Sequence, residues 1–470
     1  MTQIPFATQS YKSRSLPVSS QRCVNMFAEA QLPGSKSSTP IFGVPGLVQF
    51  ATCGVGPVRG MWVMQNVLYV VSGQRLYSVT ATGQATDVGG NITGVGNVSM
   101  SDNGAQLCIV NGVSGYIYTV AGGFQLITDP AFNPANTVTF FDNYFVFNWA
   151  NTNKFFISNT LDGLTYDALS FGSAEVSPDN VLACVNQQEN LLIFGAKTIE
   201  TWYDSGDVNF PFNRYDGATI ERGCVAALSI IKEDNSVFFL GDDLIFYRLN
   251  GVVPVRISTH AIEAAWSEYP TQADAFSFTY TWQGHKFITL TFPSGNATWI
   301  YDIATNLWHE RISFNESGTS MQRWRASCGT PCYDKIMIGD AYTGKVGYLS
   351  PDTYNEYNNV LQAYLISPVI QNDRQRVFMY RFELDVETGV GLTSGQGSDP
   401  QMMLDWSDDG GRTWSALQQW HSMGAIGAYR KRLRWLCLGQ FRQRVMRITI
   451  SDPVIRTIID NSVTLKAGSS

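Results

Sequence analysis

One pattern governs what this chain can become: a meander of three or four short β-strands that recurs from about residue 58 to residue 350. Its plainest copy is Gly60–Val88, GMWVMQNVLYVVSGQRLYSVTATGQATDV. Met61–Met64 is a short apolar run, Gln65-Asn66 a turn, and Val67–Val71 a β-branched and aromatic run. Ser72-Gly73-Gln74 turns again, Arg75–Val79 alternates, and Thr82-Gly83 closes the second hairpin. A meander this short cannot bury its own apolar face in water. Its neighbours must stack on it.

Further units begin near Val98, Val138, Val181, Ala227, Phe276 and Arg325. Their spacing of roughly 40 to 50 residues is the period of four-stranded propeller blades. Turn pairs recur at matching places: Asn103-Gly104, Asp142-Asn143, Asp234-Asn235 and Gln283-Gly284. Radial packing buries each meander and leaves only short edges. The units number six or seven, so the fold class is all-β, with a β-propeller of about six blades over residues 46–358. An array of ordinary β-sandwiches is the alternative. His260–Glu268 (HAIEAAWSE) reads as a short helix that plugs or connects blades, and Asp352–Tyr357 as a boundary.

Residues 359–470 change character and read as a separate C-terminal β-sandwich. Its expected strands are Gln362–Ile370, Arg376–Val386, Gln401–Trp406, Trp414–Trp420, Arg430–Leu438, Val445–Ile450 and Ser462–Leu465. Residues 1–45 have weak periodicity and read as an N-terminal arm. It either lies on the surface or docks on another domain or subunit, with Arg22–Phe27 (RCVNMF) able to supply an anchoring strand.

Composition narrows the function. With 470 residues, 44% hydrophobic and only 15% charged, the chain is globular and has little surface charge. A net charge of −7 excludes a general nucleic-acid binder. Residues 1–20 hold no apolar signal-peptide core, and no window approaches the ~18 apolar residues of a membrane span. The eight cysteines are scattered, which suits reduced thiols and folding in a cytosol.

Positive chemistry is scarce. Ser407–Trp414 (SDDGGRTW) fits an Asp-box, in which Ser407, Asp409, Gly411 and Trp414 build a hairpin turn: side-chain oxygens bind backbone N–H groups, glycine accepts positive φ, and the indole packs beneath. Asp405, Ser407 and Asp409 partly mimic a calcium loop, but Ala416 stands where the bidentate glutamate belongs. Cys328 and Cys332 lack a second pair at zinc-site spacing and read as two thiols in a turn. His309 reads as a strand-edge residue. No P-loop, metal motif or triad context is present, so no catalytic, metal or cofactor residues are assigned.

Arg430–Arg447 (RKRLRWLCLGQFRQRVMR) is the one charge anomaly. Arg430, Lys431, Arg432, Arg434, Arg442, Arg444 and Arg447 stand with no acid among them, against −14 for the remainder of the chain. Strand alternation puts Arg430, Arg432 and Arg434 on one face, and Arg442 with Arg444 on one face. Three readings compete: a face paired with acids of its own domain, contact with another subunit's acidic surface, or contact with DNA phosphates.

A set of stretches in order carries a resemblance: RCVNMF (Arg22–Phe27), VPGL (Val44–Leu47), GPVRGM (Gly56–Met61) and LYVVSGQRLY (Leu68–Tyr77). It continues with RGC (Arg222–Cys224), FLGDDLIFY (Phe239–Tyr247), RISTHAIE (Arg256–Glu263), TWIYDIATNLWHE (Thr298–Glu310) and RLRWLCLGQFRQRVMRITISDP (Arg432–Pro453). The chain thus resembles the packaged-DNA stabilisation, or tail hub (nozzle), proteins of short-tailed bacteriophages. The resemblance implies a non-enzymatic virion tail protein assembled in the host cytoplasm. It further implies a homo-hexamer below the portal and the head-to-tail adaptor ring, passing double-stranded DNA, closed by a needle or plug, and carrying tail fibres or tailspikes. The arginines would then be subunit or partner contacts. A receptor-binding or glycan-degrading propeller is the alternative.

Overall fold

The computed structural model describes residue 4 and residues 6–207, 210–416 and 418–468. Residues 1–3 and 5 of the expected arm, and Leu417 of the expected Trp414–Trp420 strand, lie outside the described residues.

Of the six or seven blades that the repeats allow, seven are present among the described residues. The first is Val58–Met64, Val67–Ser72, Arg75–Val79 and Ala85–Gly89, an antiparallel meander. Turns between first and second strands repeat with both central residues at positive φ: Gln65 and Asn66 (51° and 59°), Asp142 and Asn143 (43° and 70°), Asp234 and Asn235 (49° and 56°). This is the geometry that matches the right-handed twist of flanking strands.

The seventh blade explains why the count is ambiguous in sequence. Ala326–Cys332, Lys335–Asp340 and Lys345–Ser350 supply three strands, and the fourth is Gly46–Thr52 from near the other end of the chain. A Cβ on Gly46 would lie 2.3 Å from the Asn355 carbonyl oxygen, so only glycine lets the closing strand pass there. Asn355–Glu356, inside the expected boundary, joins this sheet beside Leu47.

The stretch expected as an arm is woven between the two folds. Ser20–Val24 runs parallel to Leu307–Glu310, the outer strand of the sixth blade, with Val24 opposite Glu310. On its other side it pairs with Ala363–Ile366, followed by Gln443–Ile450, Gln401–Ser407 and Gln419–Ser422. One continuous sheet therefore links propeller and sandwich. Arg22 clamps the join through an ion pair with Glu310, with Nε to Oε1 at 3.0 Å. At Asn25 (φ 56°) the chain switches sheets, and its amide bridges Ile312 and Gln362 carbonyls. Met26–Ala28 then enters the opposing sheet with Ile41–Gly43, Thr457–Ala467, Val377–Val386 and Leu433–Leu436. Because strand residues alternate, Met26 and Ala28 pack in the sandwich core while Phe27 packs in a propeller core.

One expectation is refined and two change. His309 lies in the outer strand of the sixth blade, but that edge is not free: the Ser20–Val24 strand and the segment before it cover it, and burial lowers the His309 pKa to about 3. Cys328 and Cys332 lie in a strand, and the turn follows at Tyr333-Asp334. The strand expected at Trp414–Trp420 is confined to Gln419–Ser422, since the preceding residues belong to the Asp-box turn. The helix spans His260–Ser267, and among the described residues no helix is long and apolar enough to cross a membrane.

Candidate functional site

The Asp-box forms as a local turn between strand Gln401–Ser407 and the chain leading to Gln419. Ser407 Oγ accepts the Gly411 N–H at 2.8 Å and bonds Asp409 Oδ1 at 2.6 Å. Asp409 accepts the N–H groups of Arg412 and Thr413 at 2.8 and 2.9 Å and the Thr413 hydroxyl at 2.6 Å. The hydroxyls of Ser407 and Thr413, with these N–H groups, hold the Asp409 carboxyl well below the usual range. Gly410 and Gly411 take φ of 81° and 98°. The carboxylate is consumed by the turn.

The arginine cluster divides into anchors and a free rim. Arg447 stands directly across the sheet from Asp405 and forms an ion pair with it, Nε to Oδ1 at 2.9 Å, while its guanidinium covers the Trp414 ring at 4.2 Å. Asp405 is thereby taken, so the calcium-like trio is not assembled; no metal-competent group of acids, His or Cys occurs among the described residues. Arg444 is buried, bidentate to Asp408 at 2.6 and 2.8 Å, bonded to the Leu438 carbonyl at 2.6 Å, and stacked over Phe441 at 4.3 Å. These two arginines fasten the Asp-box hairpin to the sheet.

Arg442 does not share a face with Arg444. The chain bends at Arg442 between Gln440–Phe441 and Gln443–Ile450, which leaves Arg442 exposed and Arg444 inside. Arg432 reaches Glu383 at 2.6 Å. Arg434 points outward from Leu433–Leu436, whose alternate residues Leu433 and Trp435 are core. Arg430, Arg434 and Arg442 have no carboxylate within ion-pair distance among the described residues. These three, with Arg432 at the edge and the exposed Lys431, are the cations of this stretch that can reach a partner.

Sequence reasoning missed what surrounds them. Phe378 and Tyr380 project outward from Val377–Val386, and Leu436 does so from the neighbouring strand at 60% exposure. The run VFMYRF is apolar on both faces, which is the pattern of a covered strand rather than a solvated one. The propeller has its own acidic place. Asp142 follows Phe141 of the third blade, whose ring lies 5.8 Å from that of Phe212, the residue paired with Asp204 in the fourth blade; burial together with Asp204 and Glu189 pushes the Asp142 carboxyl up. Charge is partitioned accordingly: residues 1–358 hold 19 Lys/Arg against 29 Asp/Glu (−10), and residues 359–470 hold 13 against 10 (+3).

The propeller axis is a second candidate site. All seven blades line a central cavity of about 310 Å³, six through their first strands and the sixth blade through Phe276–Phe278 just before its own, with Arg59, Asn97, Thr137, Asn186, Lys232 and Ser327 among its walls. Arg59 is spent on four carbonyls, those of Gly96, Gly73, Ile92 and Thr93, at 2.6 to 2.9 Å. Lys232 donates to Asn186 Oδ1 at 2.5 Å, and burial lowers its pKa. No carboxylate lines the cavity among the described residues, so a pair of acids for glycoside hydrolysis is missing there.

Two family models match the chain in succession. One described as "Bacteriophage P22 Gp10, beta-propeller" covers residues 2–354, and one described as "Bacteriophage P22 Gp10, beta-sandwich" covers residues 362–466. No curated protein matches the sequence. Among solved structures, the N-terminal domain of Nup159 is similar at 9% identity, covering 71% of this chain and 99% of that one with a TM-score of 0.43. The extracellular domain of the one-component system BT4673 from B. thetaiotaomicron is similar at 8% identity, covering 80% and 47% with a TM-score of 0.43.

Proposed function

Because the chain belongs to the bacteriophage P22 Gp10 family of tail-hub-type structural proteins, we propose that six copies form a ring beneath the portal and its adaptor ring in the virion tail. The ring extends the DNA channel, helps retain the packaged genome, is closed distally by a needle or plug, and carries fibres or tailspikes. The observation that carries this reading is the succession of the two family matches, propeller then sandwich, along nearly the whole chain.

Two physical features support it. The cavity on the propeller axis, about 310 Å³, is far too small for duplex DNA, whose major groove alone is about 12 Å wide. In this reading the DNA channel lies between chains, inside a closed ring built from heterologous contacts. The −10 balance of residues 1–358 also suits a lumen that repels phosphates and lets DNA slide. The Asp-box does not favour a glycan-degrading reading, since its carboxylate serves the turn.

Particles assembled without this chain are expected to package DNA and then release it. Nuclease sensitivity of the genome in purified particles reads this directly. Particles that keep a nuclease-resistant genome would contradict the retention role.

A further inference from the structure

The geometry points to a self-interface: the outward sheet face bearing Phe378, Tyr380, Arg434 and Leu436, rimmed by Arg442, seats on the propeller of a second copy, over the turns that carry Asp142, Glu189 and Asp204. This rests on the ring reading above and names the surfaces that close the ring.

The donor face is one sheet surface. Arg381 stands opposite Leu436 and Glu383 opposite Arg434, so Leu436 and Arg434 share the outer side, while Phe382 and Trp435 share the core side. Tyr380 is 49% exposed, and its ring lies 6.5 Å from that of Phe378. Phe441 pairs with Val377, which places Arg442 at the Phe378 end of the face. Glu383, opposite Arg434, is already engaged by Arg432 at 2.6 Å, and Asp385 farther along the same face is paired with Lys36. The face is thus aromatic and aliphatic at its centre with surplus positive charge at its edges, the anatomy of an interface core and rim.

The receiving surface carries the opposite charge. Leu161 is 53% exposed in the third blade, and its N–H bonds the Asn143 carbonyl at 2.8 Å, beside Asp142. Leu161, whose carbonyl also accepts from Asn103 of the second blade, gives an exposed apolar residue on one side of the Asp142 turn, and Glu189 and Asp204 of the fourth blade give acids on its other side. No lysine or arginine pairs with those three carboxylates among the described residues. Donor and receiver are different patches of one chain, as a head-to-tail ring requires. Both patches occur in every copy. A partner of other composition is not needed to satisfy either.

The test uses the full chain and two sets of exposed substitutions, with thermal melting to verify folding. Arg434→Glu with Arg442→Glu, and separately Glu189→Lys with Asp204→Lys, are each expected to raise the concentration for half-assembly at least about tenfold, since like charges then meet. Mixing or combining the two sets restores assembly by reversing both sides. Tyr380→Cys with Leu161→Cys, in a Cys437→Ser background because Cys437 is exposed, is expected to yield intersubunit disulfide ladders under oxidation. Wild-type rings that neither set weakens, or that the combined set fails to restore, overturn this interface and leave the ring reading standing. Loss of adaptor docking with intact rings also overturns it and assigns the face to the adaptor. A wild-type chain that never assembles overturns both.

Discussion

Asp340→Ala is expected to lower stability by about 3–5 kcal/mol, because it strips a buried guanidinium of its equally buried bidentate partner and leaves it only the half-exposed Glu316. Arg325 and Asp340 are both essentially inaccessible, and they join the first and second strands of the seventh blade through two bonds at 3.0 and 2.8 Å. Burial works against the Arg325 charge; Asp340 outweighs it and holds the guanidinium above its usual value. Glu316 takes a further N–H at 2.8 Å, and the Tyr357 ring lies 4.6 Å away. The same blade receives the closing strand Gly46–Thr52, so the damage falls where the propeller is sealed. A reduced urea midpoint at unchanged slope is the expected reading. Replacing both partners, Arg325→Met with Asp340→Leu, should recover most of the loss, since an apolar pair carries no stranded charge. A cost below about 1 kcal/mol for Asp340→Ala would show that solvent or another group relieves Arg325.

The second large effect is Phe27→Ala. Phe27 is buried, with its ring 5.1 Å from His285, 5.3 Å from Phe287 and 6.1 Å from Phe42. Truncating such a ring costs about 3–5 kcal/mol through lost burial and a residual cavity. Its neighbours Met26 and Ala28 face the other core, so the substitution strikes the wall between propeller and sandwich. The expected result is a lower melting temperature and a separation of the two folds into distinct calorimetric transitions. Unchanged calorimetry would mean that the sheet join at Ser20–Val24 couples them without the ring.

Local signals made much of this fold legible. Turn pairs such as Asp142-Asn143 and Asp234-Asn235 announce left-handed backbone because Asn and Asp tolerate it, and the structure places positive φ at each. The Asp-box was equally legible, since its bonds run within Ser407–Trp414. Long-range closure was not. Gly46–Thr52 completes a blade whose other strands begin at Ala326, and Val24 meets Glu310 and Tyr364; no local pattern encodes such partners. The arginines were visible as charges, yet alternation misassigned Arg442 and Arg444 because a bend separates them. Burial of Arg444 against Asp408 depends on a turn some 36 residues away in sequence, which spacing alone does not reveal.

The ring is the central claim, and mass with shape tests it most directly. The purified protein should be measured alone and with its adaptor ring by mass photometry and negative-stain microscopy. The account predicts six-fold rings with a central hole wide enough for duplex DNA, formed at least when the adaptor is present. Persistent monomers or trimers that ignore the adaptor would contradict it.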